Sequence, residues 1–238
     1  MHNRLYNKKV LITAGPTKEA IDPVRYISNH SSGKMGYAIA EKFLESGAQV
    51  FLVSGPVKIS LHHPKLKIIK VNSASEMYLA CCHYFEEVDI AVFAAAVADY
   101  RPEKIEERRS KKDETHFTIK MKRNIDIAYE FGQIKTHKQI AVGFALETHD
   151  ELKHAIGKLS EKNFDMVVLN SVNDQGAVFG HDSNKITIVK DDFSKKEFPL
   201  KGKSEVARDI VNEVEATIVM HEKYQLEESV LDYETMYR

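Results

Sequence analysis

Apolar runs of strand length alternate with amphipathic helical stripes through the first two-thirds of the chain. Lys9–Ala14 reads as a first buried strand, and Met35, Ile39 and Phe43 share one face of a helix predicted from about Gly33 to Ser46. Gly47 supplies the stop, and Gln49–Ser54 is the next strand. Lys67–Val71 reads as a third strand and Ser75–Glu87 as a helix. Asp89–Ala96, Gln139–Phe144 and Asp165–Asn170 are continuous apolar runs, as parallel strands covered on both faces require. Between the last two, Leu152, Ala155, Ile156 and Leu159 form a helical stripe. Phe117–Met121 and Lys185–Val189 instead alternate with period two, and Lys195–Leu200 is placed to pair with the latter. Val206, Ile210, Val214 and Ile218 mark a last helix, and the acidic stretch Gln225–Arg238 is expected to be loosely held. The pattern predicts an α/β fold: a doubly wound, mostly parallel Rossmann-like sheet with right-handed crossovers and a small antiparallel extension offering a dimer surface.

Composition narrows the function classes. At 238 residues, 43% hydrophobic and 29% charged, the chain is long enough for one large α/β core. A formal net charge of −1 gives no footprint for nucleic acid or a membrane surface. The adjacent Cys81 and Cys82 have neither disulfide nor metal-site spacing, so reduced thiols are expected. No segment reaches membrane-spanning length and Met1–Tyr6 has no signal-peptide core, which points to a cytoplasmic protein.

The densest candidate chemistry is Asn29-His-Ser-Ser-Gly-Lys-Met-Gly36, which opens a helix after the first strand. Unpaired N–H groups and a partial positive charge at such a terminus suit phosphate or carboxylate oxygens, with Ser31, Ser32 and Gly33 as the oxygen-binding turn. The polar loop from Gly15 to Arg25 precedes it, at the strand end where open α/β sheets bind ligands. Other motifs fail. The first turn, Gly15-Pro-Thr, is not a dinucleotide fingerprint, and no acid closes the second strand, Val53-Ser-Gly-Pro56. P-loop and nucleophile-elbow patterns are missing, and the histidines lack ligand spacing. Asp99, just past a central strand, reads equally as a ligand for a nucleotide-borne divalent cation and as a turn or helix cap. The basic stretch Lys104–Asp113 beside it suits phosphates if it closes over them, and is otherwise a solvated loop. Lys158 and Lys162, at i and i+4, reach one ligand or snorkel as ordinary surface lysines.

Several stretches together resemble phosphopantothenate–cysteine ligase, the phosphopantothenoylcysteine synthetase of coenzyme A biosynthesis. They are Ile12-Thr-Ala-Gly-Pro-Thr17, Ile21–Gly36, Ala94-Ala-Ala-Val-Ala-Asp-Tyr-Arg-Pro102, Val142-Gly-Phe-Ala-Leu-Glu-Thr148, Lys158–Asp165, Asn170-Ser-Val172 and Phe179–Asn184. The resemblance runs in order from about residue 8 to about 215. It implies a single synthetase domain over 1–238, with a core of about 8–220, either stand-alone or excised from a polypeptide that begins with a flavin-dependent decarboxylase. It also implies a reaction in which the carboxylate of 4′-phosphopantothenate attacks the α-phosphate of CTP (ATP less favoured). Pyrophosphate leaves, and L-cysteine's amine then displaces CMP from the acyl-cytidylate. Positioning and charge stabilisation carry such chemistry, and no protein nucleophile is needed.

Carried onto this chain, the resemblance makes Asn29 the residue acting on the acyl-cytidylate, its amide donating to acyl or phosphate oxygens. It makes Asp99 the carboxylate near the triphosphate and its Mg2+. Gly15, Ser31, Ser32, Gly33, Ala95, Ala96, Asn124, Ile125, Asp126, Ile127, Phe144, Lys158 and Lys162 become the nucleotide site. Two departures stand out. Ile125 replaces the proline of the family's Asn-Pro-Asp-Ile, and the Lys-x-Lys-Lys loop reads Arg109-Ser-Lys111-Lys112. Either Arg109 takes the first lysine's role, as spacing from Asp99 favours, or Lys111 does; arginine clamps phosphate bidentately where lysine is a point charge. A homodimer and a separate phosphopantothenoylcysteine decarboxylase are the implied partners. The rival readings are an NAD(P)-dependent reductase on a Rossmann-like sheet and a catalytically impaired nucleotide-binding homologue.

Overall fold

The computed structural model describes residues 3–107, 117–147, 150–171 and 183–236. In chain order the first elements are β1 (Lys9–Ala14), β2 (Lys18–Ala20), β3 (Tyr26–Ser28), α1 (Lys34–Glu45), β4 (Gln49–Ser54), β5 (Leu66–Lys70) and α2 (Ala74–Tyr84). A 3-10 turn (Phe85–Glu87) leads into β6 (Ile90–Phe93), β7 (Tyr100–Pro102), β8 (Met121–Arg123) and α3 (Ile127–Ile134). Then come β9 (Ile140–Glu147), α4 (Glu151–Glu161), β10 (Met166–Ser171), β11 (Ser183–Lys190), β12 (Lys195–Gly202) and α5 (Lys203–Met236).

The main sheet has the order β12-β11-β10-β9-β6-β1-β4-β5. Its six strands from β5 to β10 are parallel, and β11 and β12 add an antiparallel edge. The expected doubly wound sheet is therefore present. Strand order reverses between β1 and β6, which opens a crevice beyond their carboxyl ends. Side-chain alternation divides the core. Val10, Ile12, Leu52, Val92, Val142 and Val168 face α1 and α5. Leu11, Phe51, Val53, Ala91, Ala141 and Val167 face α2, α3 and α4. A fully buried side chain such as Phe43 or Leu52 contributes about 2 kcal/mol relative to exposure.

Several boundaries differ from the sequence pattern. The apolar run Asp89–Ala96 is strand only over Ile90–Phe93. Beyond Phe93 the pairing with β9 stops, while the segment still follows the end of β1: the Ala94 N–H donates to the Thr13 carbonyl (3.2 Å), and the Ala96 N–H to the Gly15 carbonyl (2.9 Å). Of Phe117–Met121 only Met121 is in a strand, and its partner is β7. The last helix continues to Met236, through most of the stretch expected to be a tail. Cys81 is buried, Cys82 is exposed and both are free thiols. Among the described residues no helix is long and apolar enough to cross a membrane.

The polar loop after β1 is ordered by a hairpin, β2 against β3. The buried Asp22 carboxylate holds its turn, accepting the Val24 and Arg25 N–H groups (2.9 and 2.8 Å) and the Arg25 guanidinium (2.9 and 2.6 Å). The hairpin is tied to α2 by Glu19, which accepts the Ala74 N–H at 2.9 Å.

On the other side, α1 lies directly on β1. A Cβ built on Gly36 would meet the Ala14 Cβ at 2.6 Å. Replacing Gly36 by alanine gains about 1 kcal/mol of helix propensity, against an overpacking cost of about 1–3 kcal/mol. Gly36→Ala is therefore expected to lower Tm, and a raised Tm in thermal unfolding would contradict the close packing. The Arg25 side chain, followed by the backbone donors, holds the Asp22 carboxyl at about 2, below its ordinary 3.8. The stability this gives is complete above the ordinary value and disappears as pH falls through about 2. The Tm difference between the wild type and Asp22→Asn should accordingly shrink as pH is lowered from 5 towards 2 (roughly the span of the two carboxyl states); a constant difference would count against the pair.

Candidate functional site

Two buried threonines at the end of β1 fix the walls of the crevice. Thr13 Oγ1 accepts the Ala95 N–H at 3.3 Å, and Thr17 Oγ1 accepts the Ala98 N–H at 3.0 Å. The segment 94–98 is thereby held against the first turn, with Pro16 bridged to Ala96. Gly33 caps α1 in the left-handed region (φ 76°), with no side chain capping the helix. Its backbone rests on Gly15, also left-handed (φ 77°), and a Cβ on Gly33 would lie 3.2 Å from the Gly15 Cα and 2.7 Å from Val57. Side chains there would be both strained and blocked, so glycine is required at both positions. The first turn of α1 thus faces the crevice without a side-chain cap, the geometry that binds anions.

A cavity of about 200 Å3, open to solvent, occupies the crevice. Ser31, Ser32 and Gly33 form one wall with Lys34, Met35 and Gly36. Ala94, Ala95 and Ala96 form the floor, and Phe144, Ala145 and Leu146 a second wall. Asn170, Asn184 and Lys203 complete it. Of the residues expected from sequence, Ser31, Ser32, Gly33, Ala95, Ala96 and Phe144 therefore meet around one space, with Gly15 directly behind it.

Asn29 stands beside this space. Its Nδ2 donates to the Ala96 and Val97 carbonyls, 3.1 Å each. Both N–H groups are thus engaged by the loop after β6, and Oδ1 is the amide atom left for a ligand.

A second group lies across the same loop. The Asn124 N–H donates to the Asp99 carbonyl (2.8 Å), and Asn124 Nδ2 donates to the Ala98 carbonyl (2.7 Å). Arg101 ties Asn124 Oδ1 (3.0 Å) to Ser75 Oγ (2.8 Å). Asp126 caps α3 through the Tyr129 N–H at 3.0 Å and pairs with the Lys162 ammonium at 2.7 Å. Ile125 is exposed next to it and Ile127 is buried in α3. Lys158 lies one turn before Lys162, on α4. Asp99 is exposed, and its charge and that of Asp126 both reach Arg123. The Arg123 pKa is raised, first by its bond to Tyr100 and then by these carboxylates. Arg109 and Lys111 lie outside the described residues.

Among the described residues, one group of three side chains has metal-ligand spacing: Asp165, Asp191 and His221. It sits at the opposite end of the sheet. Asp165 there is already saturated by the Lys135 ammonium (2.7 Å to each oxygen) and the Ala141 N–H (2.6 Å). A buried pair of this kind costs several kcal/mol to break, which reads as structure.

Sequence reasoning gave no role to Thr13, Thr17, Asn170 or Asn184. The threonines resemble ordinary strand-end residues until the loop they hold is seen. The asparagines stand in stretches that resemble the ligase family, and each ends an apolar stripe, Met166-Val168-Asn170 and Ile188-Ile186-Asn184, on the face that carries α1 and α5.

Residues 5–218 match the family model described as DNA/pantothenate metabolism flavoprotein C-terminal domain. The coenzyme A biosynthesis bifunctional protein CoaBC of Bacillus subtilis is 45% identical over 214 residues, which are 89% of this chain and 52% of that protein. A cysteine/cysteine sulfinic acid decarboxylase from an unknown prokaryotic organism is 47% identical over 210 residues, 88% of this chain and 58% of that protein. The chain thus spans just over half the length of these relatives. The crystal structure of the C-terminal domain of a CoaBC protein superposes with a TM-score of 0.77 at 40% identity, covering 91% of this chain and 98% of that one. The NAD-type reductase alternative gains nothing from the site: β4 ends in Ser54-Gly55-Pro56, with no acid for a ribose. By the extent of the family match, the chain belongs to the DNA/pantothenate metabolism flavoprotein C-terminal domain family.

Proposed function

We propose that this chain is a phosphopantothenate–cysteine ligase of coenzyme A biosynthesis, using CTP to activate the acid as an acyl-cytidylate. The observation that carries the reading is the meeting of the uncapped α1 terminus, the Ala94–Ala96 floor and Phe144 around one cavity. The family match, the CoaBC relatives and the CoaBC C-terminal domain likeness support it. Decarboxylation, named for one relative, is not assigned to this chain, because the alignment covers 58% of that protein.

In this reading the carboxylate of 4′-phosphopantothenate attacks the α-phosphorus, and pyrophosphate leaves with the electrons of the broken P–O bond. The amine of cysteine then adds to the acyl carbon, loses a proton and expels CMP. The α1 N–H groups and the Ser31–Gly33 turn hold phosphate oxygens through both steps. Asn29 Oδ1 accepts an N–H of the attacking amine and so orients its lone pair towards the acyl carbon. Phe144 offers an aromatic face, and Asn124–Ile127 with Lys158 and Lys162 hold the nucleoside. A phosphate or ribose hydroxyl can compete for Lys162, since a half-exposed pair with Asp126 contributes about 1 kcal/mol or less.

Asp99, an exposed carboxylate directly after the segment 94–98, suits Mg2+ carried on the triphosphate, which takes one or two carboxylates and otherwise water and phosphate. The ion would neutralise charge on the departing pyrophosphate. Arg109 is assigned the basic contact to the phosphates. A homodimer and a separate decarboxylase acting on the product complete the proposal.

CTP- and cysteine-dependent amide formation from phosphopantothenate tests the reading, and no turnover with CTP or ATP would defeat it. Asn29→Ala should retain a burst of pyrophosphate while amide formation falls by about 100-fold. Loss of both steps together would remove the role given to Oδ1. Arg109→Ala should slow pyrophosphate release more than Lys111→Ala, and the reverse order would move the contact to Lys111. The departures at Arg109 and Ile125 favour one second reading, an impaired homologue; thermal stabilisation by CTP without pyrophosphate release is its signature.

A further inference from the structure

Parallel neighbours in a sheet need a crossover, which is usually a helix. Here α1, α2, α3 and α4 each stand in one, but β4 reaches β5 through the loop 55–65 with no helix. The edge strand β5 is therefore only half covered on the face that carries α1. Leu66 and Ile68, at alternate positions of β5, remain partly exposed, as do Ile59 and Leu61 of the loop.

A second cavity, of about 680 Å3 and open to solvent, lies at this place. Ile59, Leu61, Leu66 and Ile68 give it apolar walls, together with Tyr37 and Pro64. The Tyr37 hydroxyl is already engaged, donating to Ser54 Oγ at 3.0 Å. Ser60, His62, His63 and Lys70 make up the rest of the lining, which contains no carboxylate. The wider charge pattern agrees. From Ser46 to Ser75 the chain has no aspartate or glutamate, against four lysines, Lys58, Lys65, Lys67 and Lys70. Lys65 is spent on the Gly47 carbonyl (2.8 Å) and Asn7 Oδ1 (3.1 Å), and Lys67 lies over the Tyr84 ring. Lys70 has no such partner among the described residues. His63 Nδ1 accepts the Lys65 N–H at 3.1 Å, which leaves Nε2 to carry a proton and donate.

An uncompensated ammonium and imidazole donors on an apolar lining define the ligand. Inorganic phosphate would leave the walls in water, and an uncharged alcohol would leave Lys70 unpaired. We infer that this cavity binds an amphiphilic anion, an aliphatic chain ending in a carboxylate or a phosphate ester. The chain lies against Ile59, Leu61, Leu66 and Ile68, and the head takes a charge-assisted hydrogen bond from Lys70, with His62 and His63 as further donors. No residue lines both cavities, so this site stands whatever reaction the crevice performs.

Calorimetric titration of the full chain with n-decyl phosphate, decanoate, decanol and inorganic phosphate, all below micelle formation, tests the assignment. At least one of the two anionic chains should bind one per protein, and the tighter one names the head group. Decanol and inorganic phosphate should bind about tenfold more weakly or not at all. Lys70→Glu should weaken the anion about tenfold or more, while the same charge change at the exposed Lys138 should leave it within about twofold. On the wild type, decanoate carrying a terminal diazirine should crosslink on irradiation within residues 59–70 or at Tyr37. Failure of both anions to bind, decanol binding as tightly as they do, an equal effect of the Lys70 and Lys138 changes, or crosslinks confined to residues 94–96 and 144–146 would each overturn the assignment.

Discussion

The contact between the end of β1 and the first turn of α1 sets the position of everything at the site. Gly36 brings the helix onto Ala14, and Gly33 rests on Gly15 with Val57 closing the space where side chains would stand. The helix starts there with no side-chain cap, and its first turn lines the cavity. The same strand end also holds the opposite wall, through the Thr13 and Thr17 hydroxyls bonded to the Ala95 and Ala98 amides. One strand terminus therefore positions both the Ser31–Gly33 turn and the floor it faces.

Polar groups divide sharply between those that build this arrangement and those left open to a ligand. Asp22, Glu19, Asp165 and Gln139 are buried and fully engaged by the backbone or by ion pairs. Such groups cost free energy if unpaired, so their pairing defines one fold rather than a site. At the crevice the pattern reverses. Asn29 has used its donors and keeps an acceptor, and Asn170 Oδ1 finds no donor among the described residues. The Lys162–Asp126 pair is half open to solvent and so exchanges readily for a ligand.

Periodicity made the large elements legible, and their ends were hidden by tertiary contacts. Lys34–Glu45 and Gln49–Ser54 fall where the helical stripe and the apolar run put them, with Gly47 just past the helix. Ala94–Ala96 read as strand because they are apolar, yet the pairing with β9 stops at Phe93 and the Ala95 N–H turns to the Thr13 hydroxyl, which no local pattern reveals. The three-residue strands of the two hairpins are too short for a period to show. The eight-residue α3 was not read from the sequence, where only Asn124–Ile127 drew notice as a binding stretch, although Asp126 capping Tyr129 and the spacing of Ile127 and Phe131 are helix signals. Asn29, Ser31–Gly33 and Phe144 were legible only as a combination, since each alone is an ordinary residue.

In the proposed reaction the acid is activated by bond formation between its carboxylate oxygen and the α-phosphorus of the nucleotide. Phosphopantothenate labelled with 18O in the carboxylate, turned over with CTP and cysteine, tests this directly. One labelled oxygen is expected in the released CMP and none in the pyrophosphate. Label in inorganic phosphate or pyrophosphate, or amide formed with unlabelled CMP, would contradict it.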